Sequence, residues 1–86
     1  MPRLSQFYGI AIYMYYRDHA PPHFHAIYGE HEATFEIATG VILAGKLPRR
    51  AGVLVADWLT DHQDELQLDW DLAMASQPLV PVPPLG

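Results

Sequence analysis

Two adjacent prolines, Pro21 and Pro22, separate stretches that both read as β-strands. Proline fixes its own φ, lacks an N–H and disfavours helix for the residue before it, so Ala20 and Pro21 are expected to be extended. The run Arg17-Asp18-His19-Ala20-Pro21-Pro22-His23-Phe24-His25 is therefore a stiff connection that delivers His23 into the next strand. Asp18 can hydrogen-bond the backbone that follows it and close a turn. The same run holds three of the five histidines. Burial of apolar surface gives no reason for imidazoles at positions 19, 23 and 25.

The flanking segments set the expected fold. Phe7 to Tyr16 is rich in aromatic and β-branched residues and reads as one strand, with Gly9 as a bulge or loose end. Ile10, Ile12, Met14 and Tyr16 would share one face, and Ala11, Tyr13 and Tyr15 the other. Its tyrosines read as packing groups. His23 to Tyr28 and His31 to Ile37 form a hairpin across Gly29-Glu30, where a first-position glycine suits a type II′ turn. That register places Tyr28 opposite His31, Ala26 opposite Ala33 and Phe24 opposite Phe35, on the core face. The pairs Ile27 with Glu32, His25 with Thr34 and His23 with Glu36 then lie on the face away from the core. Thr39-Gly40 is a second turn, followed by a short strand from Val41 to Ala44 that Gly45 ends. Ile42 and Ala44 are expected to join Phe35 and Ile37 on the core face.

Pro48 suits the first turn of a helix. Ala51, Val55, Trp58, Leu59, His62, Leu66, Trp70 and Ala73 keep helical spacing, an apolar stripe that reaches about Ala75. Gly52 interrupts it at about 1 kcal/mol relative to alanine. Thr60-Asp61-His62-Gln63 resembles a capping box, so two helices meeting near His62 are expected, or one helix kinked there. The tryptophans read as packing on the sheet, and His62 as a core histidine. The fold class is thus α+β: an antiparallel sheet of three to four strands, then two C-terminal helices or one kinked helix on one face. Residues 1–77 form the domain. Residues 78–86, with four prolines, form an extended tail, read as a loose end that could also fit a partner's groove.

Eighty-six residues suffice for one small domain with a thin stability margin. The absence of cysteine excludes disulfides, thiol nucleophiles and zinc–thiolate sites. A formal charge of −5 argues against general affinity for nucleic acid, although Lys46, Arg49 and Arg50 sit together at one junction, where they read as a solvated helix start. The opening Met-Pro-Arg lacks a signal-peptide pattern, and the apolar runs are too short to span a bilayer. A soluble, cytoplasmic protein without membrane association is expected.

Three kinds of chemistry fit the histidine segment. In the first, His19, His23 and His25 ligate a divalent metal such as zinc, iron or manganese, with Glu36 or Asp18 as a further group. In the second, metal-free acid–base chemistry cleaves RNA: two histidines act as base and acid, and Arg17 stabilises the phosphorane charge. In the third, the segment is a non-catalytic patch for another protein, with His, Tyr, Phe and Arg as a suitable interface composition. The residues alone favour the third. An adjacent carboxylate such as Glu36 would fix the tautomer of an imidazole and raise its basicity in either active role.

Phe7-Tyr8-Gly9, Met14-Tyr15-Tyr16, Asp18 to Ala26, Tyr28-Gly29, Gly45-Lys46-Leu47-Pro48 and the Trp58/Trp70 pair together resemble the small bacterial family called domain of unknown function 4160. The likeness extends to about Leu79, and its specific element is the run from Asp18 to Ala26. The Pro-rich end and Gly52 depart from the pattern. The resemblance implies a gene pair resembling a toxin–antitoxin module, with this type of chain as the toxin. It implies no established catalytic residues. The reading that follows is a toxin-like component acting on, or recognising its partner through, Arg17 to His25. The partner expected is a cognate antitoxin-like small protein, with RNA as a candidate target and homo-oligomerisation left open. The alternatives are a His-ligated metal-binding domain with hydrolase or ribonuclease activity, and a non-catalytic interaction partner. The candidate residues are Arg17, His19, His23, His25 and Glu36.

Overall fold

In the computed structural model of the chain, residues 2–86 are described. Five strands precede one helix: β1 (Arg3–Phe7), β2 (Ile10–Tyr13), β3 (His23–Tyr28), β4 (His31–Glu36), β5 (Ile42–Lys46) and α1 (Arg49–Met74). The strands form one antiparallel sheet in sequence order. The α+β class holds, with five strands in place of three or four.

The added strand comes from the region expected to be one run, Phe7 to Tyr16. Tyr8 and Gly9 have positive φ values of 50° and 79°, and Phe7 pairs with Ile10 across them. Positive φ at both central positions is the type I′ geometry, whose twist matches that of the flanking strands. The run is thus a hairpin. A tyrosine in the first turn position hides it from a reading that looks for Asn-Gly or Asp-Gly. Ile10, Ile12 and Met14 are buried as their alternation requires, whereas Tyr16 is exposed because β2 has ended at Tyr13.

The β3–β4 register is the expected one, from His23 opposite Glu36 to Tyr28 opposite His31. Phe24, Ala26, Ala33 and Phe35 are all buried, and the two phenylalanine rings stack with centroids 5.5 Å apart. Tyr28 and His31, expected on the core face, are exposed beside the turn, and His23, expected on the face away from the core, is buried against Trp70 of the helix. β5 departs from expectation. It continues through Gly45 to Lys46, and Leu43 is the extra residue of a bulge between the Phe35–Ile42 and Thr34–Ala44 pairs. Ile42 and Ala44 are exposed, not core. Five strands spaced about 4.8 Å apart are roughly twice as wide as a single helix of about 10 Å, so one helix leaves an edge strand uncovered.

The helix runs for 26 residues, and His62 within it has non-helical dihedrals (φ −130°, ψ 23°). Two helical segments therefore meet at a kink where the sequence placed the break. The Thr60 hydroxyl donates to the Ala56 carbonyl rather than capping the second segment, a back-bond that bends helices. His62 Nδ1 lies 2.6 Å from Glu65 Oε1, and the Gln63 amide donates to the carbonyl of Ile37. Ala51, Val55, Trp58, Leu59, Leu66, Trp70 and Ala73 are buried; His62 is half-buried against Trp58.

The Pro-rich tail is extended and lies against the domain. The Val82 N–H donates to Leu4 O, Trp58 Nε1–H donates to Pro83 O, and the Val80 N–H donates to Asp69 Oδ1. Val82 is buried with the core. No helix among the described residues is long and apolar enough to cross a membrane.

Candidate functional site

The site forms where the connection from β2 to β3 meets the first turn of β3 and the second half of the helix. Arg17 has a positive φ of 53°, and its N–H donates to the Ala73 carbonyl. Its Nε–H donates to Ser76 Oγ at 2.8 Å. Arg17 thus ties the connection to the C-terminal end of the helix, where a cation also opposes the helix dipole. The guanidinium is engaged there, and the phosphorane-stabilising role expected for it draws no support from that contact.

Asp18 is the hub. Its Oδ1 accepts the His19 N–H at 2.8 Å, closing the expected turn. Its Oδ2 lies 2.9 Å from His23 Nε2 and 3.7 Å from His25 Nε2. Desolvation pushes the Asp18 carboxyl upward, but the His19 N–H, the hydrogen bond from His23 and the positive potential of both rings outweigh it. The net effect holds the group below the ordinary carboxylate value.

The two strand histidines are oriented from behind. His23 Nδ1 lies 2.7 Å from Pro21 O. A carbonyl only accepts, so Nδ1 carries the proton and Nε2 faces the carboxylate. The Ala20–Pro21 peptide bond, next to that carbonyl, is cis. His25 Nδ1 faces Glu32 Oε2 at 3.3 Å and Thr34 Oγ1 at 3.4 Å. Its Nε2 is buried and has no hydrogen-bond partner. Trp70 packs on His23 at a centroid distance of 5.1 Å, and Tyr15 meets the His25 ring edge-on at 4.5 Å. Burial, with help from Glu32 and Asp18, raises the Tyr15 phenol above its ordinary value.

One ligand atom each from Asp18, His23 and His25 lies within 4.8 Å of the others. Bonds of about 2.1 Å to a first-row ion put neighbouring ligands roughly 3.0–3.5 Å apart. The separations of 2.9 and 3.7 Å from Asp18 Oδ2 bracket that range. Two imidazoles and one carboxylate are a recognised donor set for such ions.

Other candidates lie elsewhere. The His19 side chain is 96% exposed, with Nδ1 3.2 Å from Asp18 Oδ1, on the outer side of the carboxylate. Glu36 is the cross-strand partner of His23, yet its carboxylate accepts from the Thr39 hydroxyl in the next turn. Glu32 takes the place beside His25 by a diagonal contact across the strand pair, one step from the direct partner Thr34. Trp70, expected only to pack, also walls the site. The helical spacing that buries Trp70 gave no sign of which strand residue it would meet.

The fold and site define a small α+β domain with a meander sheet and a partly buried aspartate–histidine cluster at one end. The chain belongs to the family described as Domain of unknown function (DUF4160), whose model matches residues 9–71. That span runs from the first hairpin turn through most of the helix and contains Asp18, His23 and His25. No curated protein and no solved structure matches the chain.

Proposed function

We propose that this domain binds one divalent transition-metal ion through Asp18, His23 and His25, and that the centre serves a toxin-like component of a bacterial two-protein module. The observation that carries the metal reading is His25 Nε2: buried, without a hydrogen-bond partner, and facing a carboxylate oxygen. With Nδ1 protonated toward Glu32, Nε2 presents a lone pair toward the Asp18 carboxylate, an arrangement that a cation between them makes favourable. The orientation of both rings by acceptors on their far nitrogens is the usual support for ligating histidines.

Metal-free acid–base catalysis fits less well. Both nitrogens of His23 face acceptors, and His25 Nε2 lies beneath the surface. A three-residue donor set would leave coordination positions for water, and a bound ion would supply Lewis-acid chemistry suited to phosphodiester hydrolysis. RNA is therefore the substrate class to test. The toxin-like role rests on the family resemblance, whose specific run contains all three residues.

The test begins with chelator-treated protein titrated with zinc in a calorimeter. One ion per chain is expected for the wild type and for His19→Ala, with binding abolished in Asp18→Ala and His25→Ala. Glu32→Gln should weaken it about tenfold to a hundredfold. Absence of binding by the wild type would remove the metal reading. Induced expression in a bacterial host tests the toxin role: arrest by the wild type and relief by His23→Ala/His25→Ala is the expected pair. Growth unaffected by either protein would end that reading.

A further inference from the structure

At the opposite end of the sheet from the aspartate–histidine cluster, a small cleft opens between two hairpin turns and the start of the helix. Ile10, Ala51 and Leu54 form its apolar floor, and Tyr8, Tyr28 and Arg50 stand at its rim. Its volume of about 100 Å³ suits one side chain rather than a cofactor.

Tyr8 is 62% exposed and sits at a positive φ of 50°. An aromatic residue there is strained relative to glycine or asparagine, and its exposed ring supplies little to the core. Gly9 follows it, and a Cβ at Gly9 would come within 3.3 Å of the Tyr28 ring, so the glycine lets that ring lie against the turn. Three of the chain's five basic residues, Lys46, Arg49 and Arg50, fall within one five-residue stretch that leads into this rim. Among the described residues, none of the three forms an ion pair with a carboxylate. The rest of the chain is strongly acidic.

From these observations we infer that the Tyr8–Tyr28–Arg50 cleft docks an acidic segment of a protein partner that inserts one apolar side chain. Tyrosine and arginine at the rim of an apolar pocket have the composition of an interaction hot spot. Local positive charge selects a negatively charged segment and disfavours a symmetric contact of this face with the same face of a second copy, where like charges would meet. The apolar floor and the overall charge favour a peptide over a nucleic acid. The inference is independent of the metal reading.

The probe is a short peptide with one leucine between two runs of glutamate, titrated into isotope-labelled full-length protein and followed by NMR. Saturable shifts are expected at residues 8–10, 28 and 50–54, weakened at higher salt. Tyr8→Asn removes the ring at a position asparagine tolerates. Arg49→Glu/Arg50→Glu places acids in a first helical turn that accommodates them. Each should weaken binding by at least about tenfold. The charge-reversed protein should instead prefer the peptide with lysine in place of glutamate. No saturable shift, equal binding of the lysine peptide by the wild type, or stronger binding of an oligouridylate would overturn the inference.

Discussion

Asp18 and Asp69 are both shielded carboxylates, yet their surroundings act on them in opposite directions. Asp69 is 1% exposed and points into the layer beneath the tail, where Oδ1 accepts the Val80 N–H and Oδ2 has no partner. Desolvation raises its carboxyl above the ordinary 3.8, outweighing that hydrogen bond. With rising pH the unfolded chain loses this proton first and the folded chain later, so stability falls from the ordinary carboxylate value up to the raised one. Asp69→Asn keeps an acceptor for Val80 and removes the buried charge. It should remove that decline and stabilise the protein at pH 7 by about 1 kcal/mol, read from urea melts at pH 4 and pH 7. Asp18 behaves in the opposite sense: its lowered value contributes stability that is lost as pH falls below the ordinary range. The Asp18 environment is made within its own run, by His19 and His23, whereas that of Asp69 depends on Val80, which the tail brings back from eleven residues further on.

Two glycines at the level of the elements have opposite consequences. Gly45 lies within β5 at a φ of 71°, and a Cβ there would sit 2.1 Å from Glu32 O. Gly45→Ala combines backbone strain with a clash against main chain, and should cost about 2–4 kcal/mol. Gly52 lies in the first turns of the helix, and a Cβ there meets nothing within 4 Å. Gly52→Ala should stabilise the protein by about 0.5–1 kcal/mol, through helix propensity and a less flexible unfolded chain. Thermal melts of the two variants beside the wild type decide both. The sequence pattern identified Gly52 correctly as an interruption of a helix. It took Gly45 for a strand end, since the approach of the Glu32 carbonyl that excludes a side chain there depends on register with the neighbouring strand.

For the whole molecule, the tail is the unexpected participant. Val82 fills part of the core, and Pro83 supplies the acceptor for the buried Trp58 indole. Truncation after Gln77 should therefore destabilise the domain by about 3–5 kcal/mol, combining the lost burial of Val82 with an unpaired indole N–H. A small domain has few kcal/mol to spare, so a large drop in the urea midpoint is expected. An unchanged midpoint would mean that the tail contributes nothing in solution. The tail also lies along β1, one edge of the sheet, whereas β5 at the other edge stays fully exposed. The two edges of the sheet are thus treated unequally.

The sequence by itself determined the features that depend on periodicity and short range. These are the β3–β4 register, the buried pairs Phe24–Phe35 and Ala26–Ala33, the buried face of β2, the apolar stripe of the helix, its break at His62 and the turn at Asp18. Alternation and helical repeat act within a few residues, and the sequence carries them directly. Only the tertiary structure decided which groups meet. Asp18 replaces His19 beside His23 and His25 because the connection folds its carboxylate inward and leaves the His19 ring in solvent. Glu32 replaces Glu36 because the second is taken by Thr39. Trp70 and the tail arrive from residues far away in the chain, and no local pattern encodes the partner that a buried side chain will find.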